Sequence, residues 1–181
     1  MKHRTRSAFP VLFSIALVCI GLVLSGTLFA QTKPGQANKE PPPPPPKHHA
    51  SAIMIEPVDP GDLLIPPDFR VALYEYLIEQ VVKTKKFQHV YRSGDKNAAG
   101  TPDLVILRTK AESFKQGSQK QREVTTISGF TSIKLKLLIT DHEGKVLADP
   151  DVTGSVHFMG ENRGATYDFA KKAAEIINTL F

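Results

Sequence analysis

Apolar and polar residues alternate in two different rhythms after residue 50, and the rhythms mark the elements. Ala52-Ile53-Met54-Ile55 is a short apolar run closed by Glu56-Pro57, which predicts a buried strand. Pro57, Pro60, Gly61, Pro66 and Pro67 make the next stretch a loop. Phe69, Leu73, Tyr76, Leu77 and Val81 then recur at helical spacing. They predict a helix that starts near Asp68, whose charge suits a helix N-terminus, and ends in Lys83, Lys85 and Lys86. Phe87 to Tyr91 reads as a second strand, and Ser93 to Pro102 as a turn region rich in Gly, Asp and Asn.

Leu104-Val105-Ile106-Leu107 opens a third strand that continues toward Phe114. The polar stretch Lys115 to Glu123 reads as a hairpin tip, and Thr125 to Thr140 as a long strand. In its second half Ile133, Leu135, Leu137 and Ile139 alternate with Lys134, Lys136, Leu138 and Thr140. That spacing predicts one buried face and one partly basic face. Asp141-His142-Glu143-Gly144 is a turn. Lys145 to Ala148 starts a return strand, which Asp149-Pro150-Asp151 interrupts and Val152 to Met159 continues. A last helix runs from about Ala165 to the end, with Ala170, Ala173, Ile177 and Leu180 on one face. Phe169 and Ile176 lie beside that face, and Lys171, Lys172 and Glu175 point away. The expected fold is α/β of the α+β kind: a mixed, mainly antiparallel sheet with two helices packed on one face.

The first 50 residues have a different character. Lys2, Arg4 and Arg6 precede an uncharged stretch from Ser7 to Thr32, whose apolar centre is Val11 to Leu24 and which passes Ala30 before Gln31. This is the layout of an export signal over residues 1–30. The alternative is an uncleaved anchor over residues 7–32, since about 20 residues span a bilayer as a helix. Both send the rest of the chain to the periplasm or beyond. Cys19, the single cysteine, sits inside the apolar run. Residues 31–50 hold half of the 14 prolines, six of them at Pro41 to Pro46, and read as a semi-rigid spacer. Residues 51–181 are left as one globular domain.

Charge sharpens this division. The chain carries +5 overall, but residues 51–181 hold 17 basic and 17 acidic side chains. The excess belongs to the N-terminal 50 residues, so the folded part lacks the basic surplus a nucleic-acid interface needs. Within it, residues 83–145 are rich in base and their flanks in acid. Either these elements pair in the fold, or the middle offers a basic contact surface. Lys115, Lys120, Arg122, Lys134 and Lys136 are the candidates for that surface.

Two residue patterns complete the element order: Phe87-Gln88-His89-Val90 after the first helix, and Pro102-Asp103-Leu104-Val105 before the third strand. With Asp141-His142-Glu143-Gly144-Lys145-Val146-Leu147 at the hairpin, the order resembles a bacterial family of exported domains of unknown function. Its members are often lipoproteins, related in architecture to the amino-terminal domain of TolB. The resemblance implies an envelope domain that works through contacts and implies no catalytic residues.

Chemical motifs are sparse. No nucleophile elbow, dinucleotide fingerprint or phosphate loop is present, and no cofactor is expected. His48 and His49 are adjacent, while His89, His142 and His157 are scattered without metal-ligand spacing. Asp59, Asp62 and Asp68 read as a solvated loop with a helix cap rather than a calcium site. Gly160 to Gly164 reads as a flexible helix entry, with anion binding as the alternative. The expected function is a non-catalytic contact domain with an unknown envelope protein as partner. An exported hydrolase using carboxylates such as Asp103, Glu112, Asp141 and Glu143 is the alternative, as is a signal-anchored structural protein.

Overall fold

The computed structural model describes residues 47–125, 128–158 and 160–181. The expected signal or anchor, the cysteine and the proline run lie outside the described residues. So do Thr126, Ile127 and Met159, which the sequence places on the long strand and its return.

Four strands carry the architecture. β1 (Ala52–Ile55) lies between β2 (His89–Arg92) and β3 (Leu104–Lys115), parallel to both. β3 then pairs antiparallel with β4 (Thr131–Asp141). The far edge of β4 takes two short strands in turn, β5 (Val146–Ala148) and β6 (Asp151–Val156). They are the interrupted return strand expected from Asp149-Pro150. The interruption stays bonded to the sheet, because Leu137 N–H donates to Pro150 O at 2.8 Å.

Two long helices, α1 (Pro67–Thr84) and α3 (Gly164–Leu180), pack against each other, and their apolar side chains join those of one sheet face in a single core. The mixed sheet with two substantial helices is the architecture the alternating pattern predicts. Pro66 and Pro67 preset the entry to α1, where a missing N–H costs nothing. Lys85 ends it in the left-handed region at φ 56°. Phe69, Leu73, Leu77 and Val81 are buried as expected, while Tyr76 is half-buried and meets the Tyr167 ring of α3 edge-on.

Ile133, Leu135, Leu137 and Ile139 are all 0% exposed. Each such side chain contributes about 1.5–3 kcal/mol by leaving water. Their strand neighbours Lys134, Lys136 and Leu138 remain half-buried on the opposite face. Gly154 of β6 sits directly under α3, where a Cβ would collide with Ala165 O and Phe169 Cβ. Only glycine lets strand and helix approach this closely.

Three details differ from the sequence expectation. The strand after α1 begins at His89 rather than Phe87, because Phe87 turns inward and its ring meets Phe181 at 5.2 Å. Residues 119–124 form a short helix, α2, where a plain hairpin tip was expected. Ser118 Oγ caps it by accepting from Gln121 N–H. Residues 47–50, assigned to the spacer, lie on the domain: His48 N–H donates to Leu180 O at 2.6 Å and Ala50 is buried.

The alternation along β4 makes a sharp prediction. Leu137→Ala should cost about 2–5 kcal/mol in urea unfolding, the usual range for a buried leucine. Leu138→Ala, one residue along on the other face, should cost less than about 1.5 kcal/mol.

Candidate contact site at the hairpin end

The five cations expected to form a basic surface have three different fates. Lys134 and Lys136 project from the outer face of β4, where carboxylates meet them. Lys134 Nζ lies 2.7 Å from Glu112 Oε2 and 2.7 Å from Asp151 Oδ2. Lys136 Nζ lies 3.2 Å from Asp151 Oδ1 and 4.0 Å from Asp149 Oδ2. Hydrogen bonding to Asp151 and then Glu112 raises the Lys134 ammonium well above the ordinary lysine value. Hydrogen bonds from Lys134 and Lys136 in turn hold the Asp151 carboxyl below 3.8.

The pairs with Asp149 and Asp151 join the basic middle of the sequence to an acidic flank. Arg92–Glu75, Arg108–Glu56 and Lys83–Glu79 do the same. The excess charge of residues 83–145 is therefore largely matched inside the fold.

Arg122 is no surface residue at all. It is 3% exposed, because α2 turns its side chain inward beneath the hairpin loop. Its Nη1 donates to Gly129 O at 2.5 Å, and its Nη2 to Gly160 O at 2.7 Å and Asn162 Oδ1 at 2.8 Å. Thr131 Oγ1 donates to the same Asn162 oxygen and accepts from Gly117 N–H, while Asn162 Nδ2 returns a bond to Gly117 O. One guanidinium thus ties together the end of β3, the start of β4 and the entry to α3. The Gly160–Gly164 segment, expected to be flexible, is pinned by it. Every acceptor named here is neutral, so the desolvation of the charge is offset by directed dipoles rather than by a counter-ion.

Lys115 and Lys120 remain outward. Lys115 Nζ stands 3.8 Å from the Phe130 ring centroid, a cation–π contact, and the other neighbour of that ring is His157, stacked at 5.3 Å. Lys120 is exposed on α2. Around these two lysines lies a feature that periodicity does not reveal. Among the described residues the three most exposed large apolar side chains are Leu64, Val124 and Phe158, at 96%, 83% and 67%. Leu64 lies in the loop before α1, Val124 at the end of α2 and Phe158 in the loop after β6.

The backbone sets these positions. After β1 the chain runs alongside β3, with Asp59 bridging Lys110, before Phe69 meets Phe114 at the base of α1. Leu64 is carried toward the hairpin by that path. Val124 ends α2, and Phe158 follows β6, whose last residues pair with the start of β4. His48, against Leu180 and Phe181, marks the opposite end. The 12 residues of β3 separate the two ends by roughly 36–40 Å. Sequence reading missed Val124 and Phe158 because each lies in a short apolar patch without period. The available signal was an apolar residue among glycines and hydroxyl side chains.

Of the carboxylates named for a hydrolase, Asp103 and Asp141 line one open cleft with His48, His49 and His142, and Glu112 lies apart from them. Glu112 is paired with Lys134. Asp141 Oδ1 caps its own turn by accepting from Glu143 N–H and Lys145 N–H. Glu143 is exposed beside His142. Asp103 opens β3 from a left-handed backbone at φ 51°. Asp59 Oδ1 likewise closes a turn onto Gly61 N–H. Among the described residues no group of three or more His, Cys, Asp or Glu side chains is placed to hold a metal ion, and no helix is long and apolar enough to cross a membrane.

No family model matches the chain. No curated protein matches it either. Solved structures do resemble it. PelC of Paraburkholderia phytofirmans, crystallised as a dodecamer, superposes with a TM-score of 0.54 at 11% identity, over 75% of this chain and 91% of that one. The hypothetical protein CT253 of Chlamydia trachomatis gives 0.51 at 10% identity, over 72% and 97%. These likenesses are of fold. Looser neighbours include a DUF330 protein of Xanthomonas campestris at 0.44 and a minor lipoprotein of Acinetobacter baumannii at 0.42. None of these four is described as a TolB domain, and that relation rests on the sequence motifs alone.

Two measurements check the site. Arg122→Met leaves the Gly129 and Gly160 carbonyls without a donor and should cost about 3 kcal/mol in urea unfolding. The Asp151 carboxyl should titrate below 3.8 when followed by carbon NMR, and Lys134→Gln should move it upward. Because its folded value is the lower one, its stabilising contribution holds above that range and fades as pH falls through it.

Proposed function

We propose that this protein is an exported cell-envelope domain that acts through protein contacts at the hairpin end, without catalysis. The observation that carries the proposal is that Leu64, Val124 and Phe158, the most exposed large apolar side chains among the described residues, belong to segments at the hairpin end of the sheet, as Lys115 and Lys120 do. Apolar side chains held this far into water by a pinned loop system cost nothing once a partner covers them. The export-signal pattern of residues 1–30 and the proline spacer support the location. His48, which follows the spacer, lies against Leu180 and Phe181 at the end of the sheet opposite these side chains.

A second form of this reading has its own support. PelC, which shares the fold, is described as a dodecamer, so the covering partner can be another copy of this chain. A photoreactive phenylalanine analogue decides between the two. Placed at Phe158 or Val124 in living cells, it should give specific adducts. Placed at Val82 or Val146, exposed apolar sites elsewhere, it should give none. Adducts of twice the chain mass would identify a second copy, and other masses a different protein. Equal labelling from all four positions, or none from the first two, would refute the proposal.

A further inference from the structure

A second concavity lies at the other end of the sheet, on the edge strand β2. It is a shallow cup of about 440 Å³ between the outer face of β2 and the loop that leads into β3. The register of β2 on β1 sets His89 opposite Ala52 and Tyr91 opposite Met54, so both rings stand on the same face of the sheet. They stack nearly parallel, 15° apart with centroids at 5.7 Å, and His89 is exposed. Tyr91 packs on the small apolar cluster of Ala52, Ala98 and Leu104, which fixes the stack from behind.

The opposite wall is braced. Thr101 Oγ1 donates to Asn97 O at 2.9 Å, and Ser51 Oγ to Pro102 O at 2.7 Å. Asp103 holds a left-handed backbone, a conformation that aspartate tolerates better than most side chains. Several exposed polar side-chain groups line the cup and make no hydrogen bond to the described residues: the Gln88 carboxamide, the His89 imidazole, the Asn97 oxygen and the Asp103 carboxylate.

We infer that this cup binds a saccharide, neutral or amino-bearing. A sugar ring has an apolar C–H face that settles on an aromatic plane, and hydroxyls at its rim that both donate and accept. An aromatic stack beside unspent amide, imidazole and carboxylate groups matches both features. The lining contains no lysine or arginine, in a chain with 23 of them. Phosphate-bearing or otherwise anionic ligands call for such cations, so the cup selects against them. The inference is independent of the hairpin-end contact, which lies at the other end of β3.

The test is a proton–nitrogen NMR titration of the full chain with chitotriose and, separately, with maltotriose. At least one trisaccharide should cause saturable shifts at His89, Tyr91, Asn97 and Gly100. His89→Ala and Asp103→Asn should each weaken binding about tenfold, equal to about 1.4 kcal/mol. The asparagine variant keeps the left-handed backbone, so a loss there does not reflect misfolding. Saturation by chitotriose alone would define an acetamido-sugar site, and saturation by both a broader one. No saturable shift at these residues with either sugar up to about 10 mM, a range that still detects very weak sites, would overturn the inference. So would affinity unchanged by both substitutions.

Discussion

Everything in this domain hangs on the long antiparallel ladder between β3 and β4. It brings eleven-residue and twelve-residue strands into register over nearly their whole length. Because side chains alternate across a sheet, that register places Ile133, Leu135, Leu137 and Ile139 beside Leu107 and Ala111 on one face. Both long helices cover that face. A slip by one residue would bury Lys134 and Lys136 and expose four aliphatic side chains. The remaining strands are attached to this ladder: β1 and β2 on the β3 side, β5 and β6 on the β4 side.

The ladder also creates the two ends that organise function. At one end the chain enters beside the C-terminus of α3. At the other, Arg122 of α2 ties the turn before β4 to the segment before α3. A guanidinium suits this task because its planar fork can serve several carbonyls at once. Its bonds fix Gly129, Gly160 and Asn162 relative to α2, which ends in the exposed Val124. Matching of charge along the outer sheet face works in the same direction. With Lys134, Lys136 and Arg108 committed to Asp151, Glu112 and Glu56, what distinguishes the hairpin end is apolar exposure more than charge. The sheet edge at β6 is closed too: Asp168 accepts from Ser155 N–H, and Lys172 donates to Thr153 O. Strand addition is thereby blocked on that side.

Much of this was legible in the sequence. The two long helices and the β4 alternation follow from periodicity, and the interrupted return strand from Asp149-Pro150. These features depend on local pattern. The fate of the basic residues was not legible, since Lys115, Lys120, Arg122, Lys134 and Lys136 share a charge and differ only in what reaches them from distant segments. Asp151 lies 17 residues from Lys134, and Asn162 lies 40 from Arg122. Phe87 was drawn out of its expected strand by Phe181, 94 positions away in the chain. Solvent exposure of Val124 and Phe158 likewise depends on how loops meet, which no window of sequence contains.

Hydrogen exchange read by mass spectrometry, on the chain in intact envelopes and on the purified chain, tests the central claim most directly. The account predicts added protection in the envelope at residues 60–66, 119–130 and 157–162, with the α3 C-terminus and residues 47–50 unchanged. Protection confined to that opposite end, or to the outer face of β3 and β4, would contradict it.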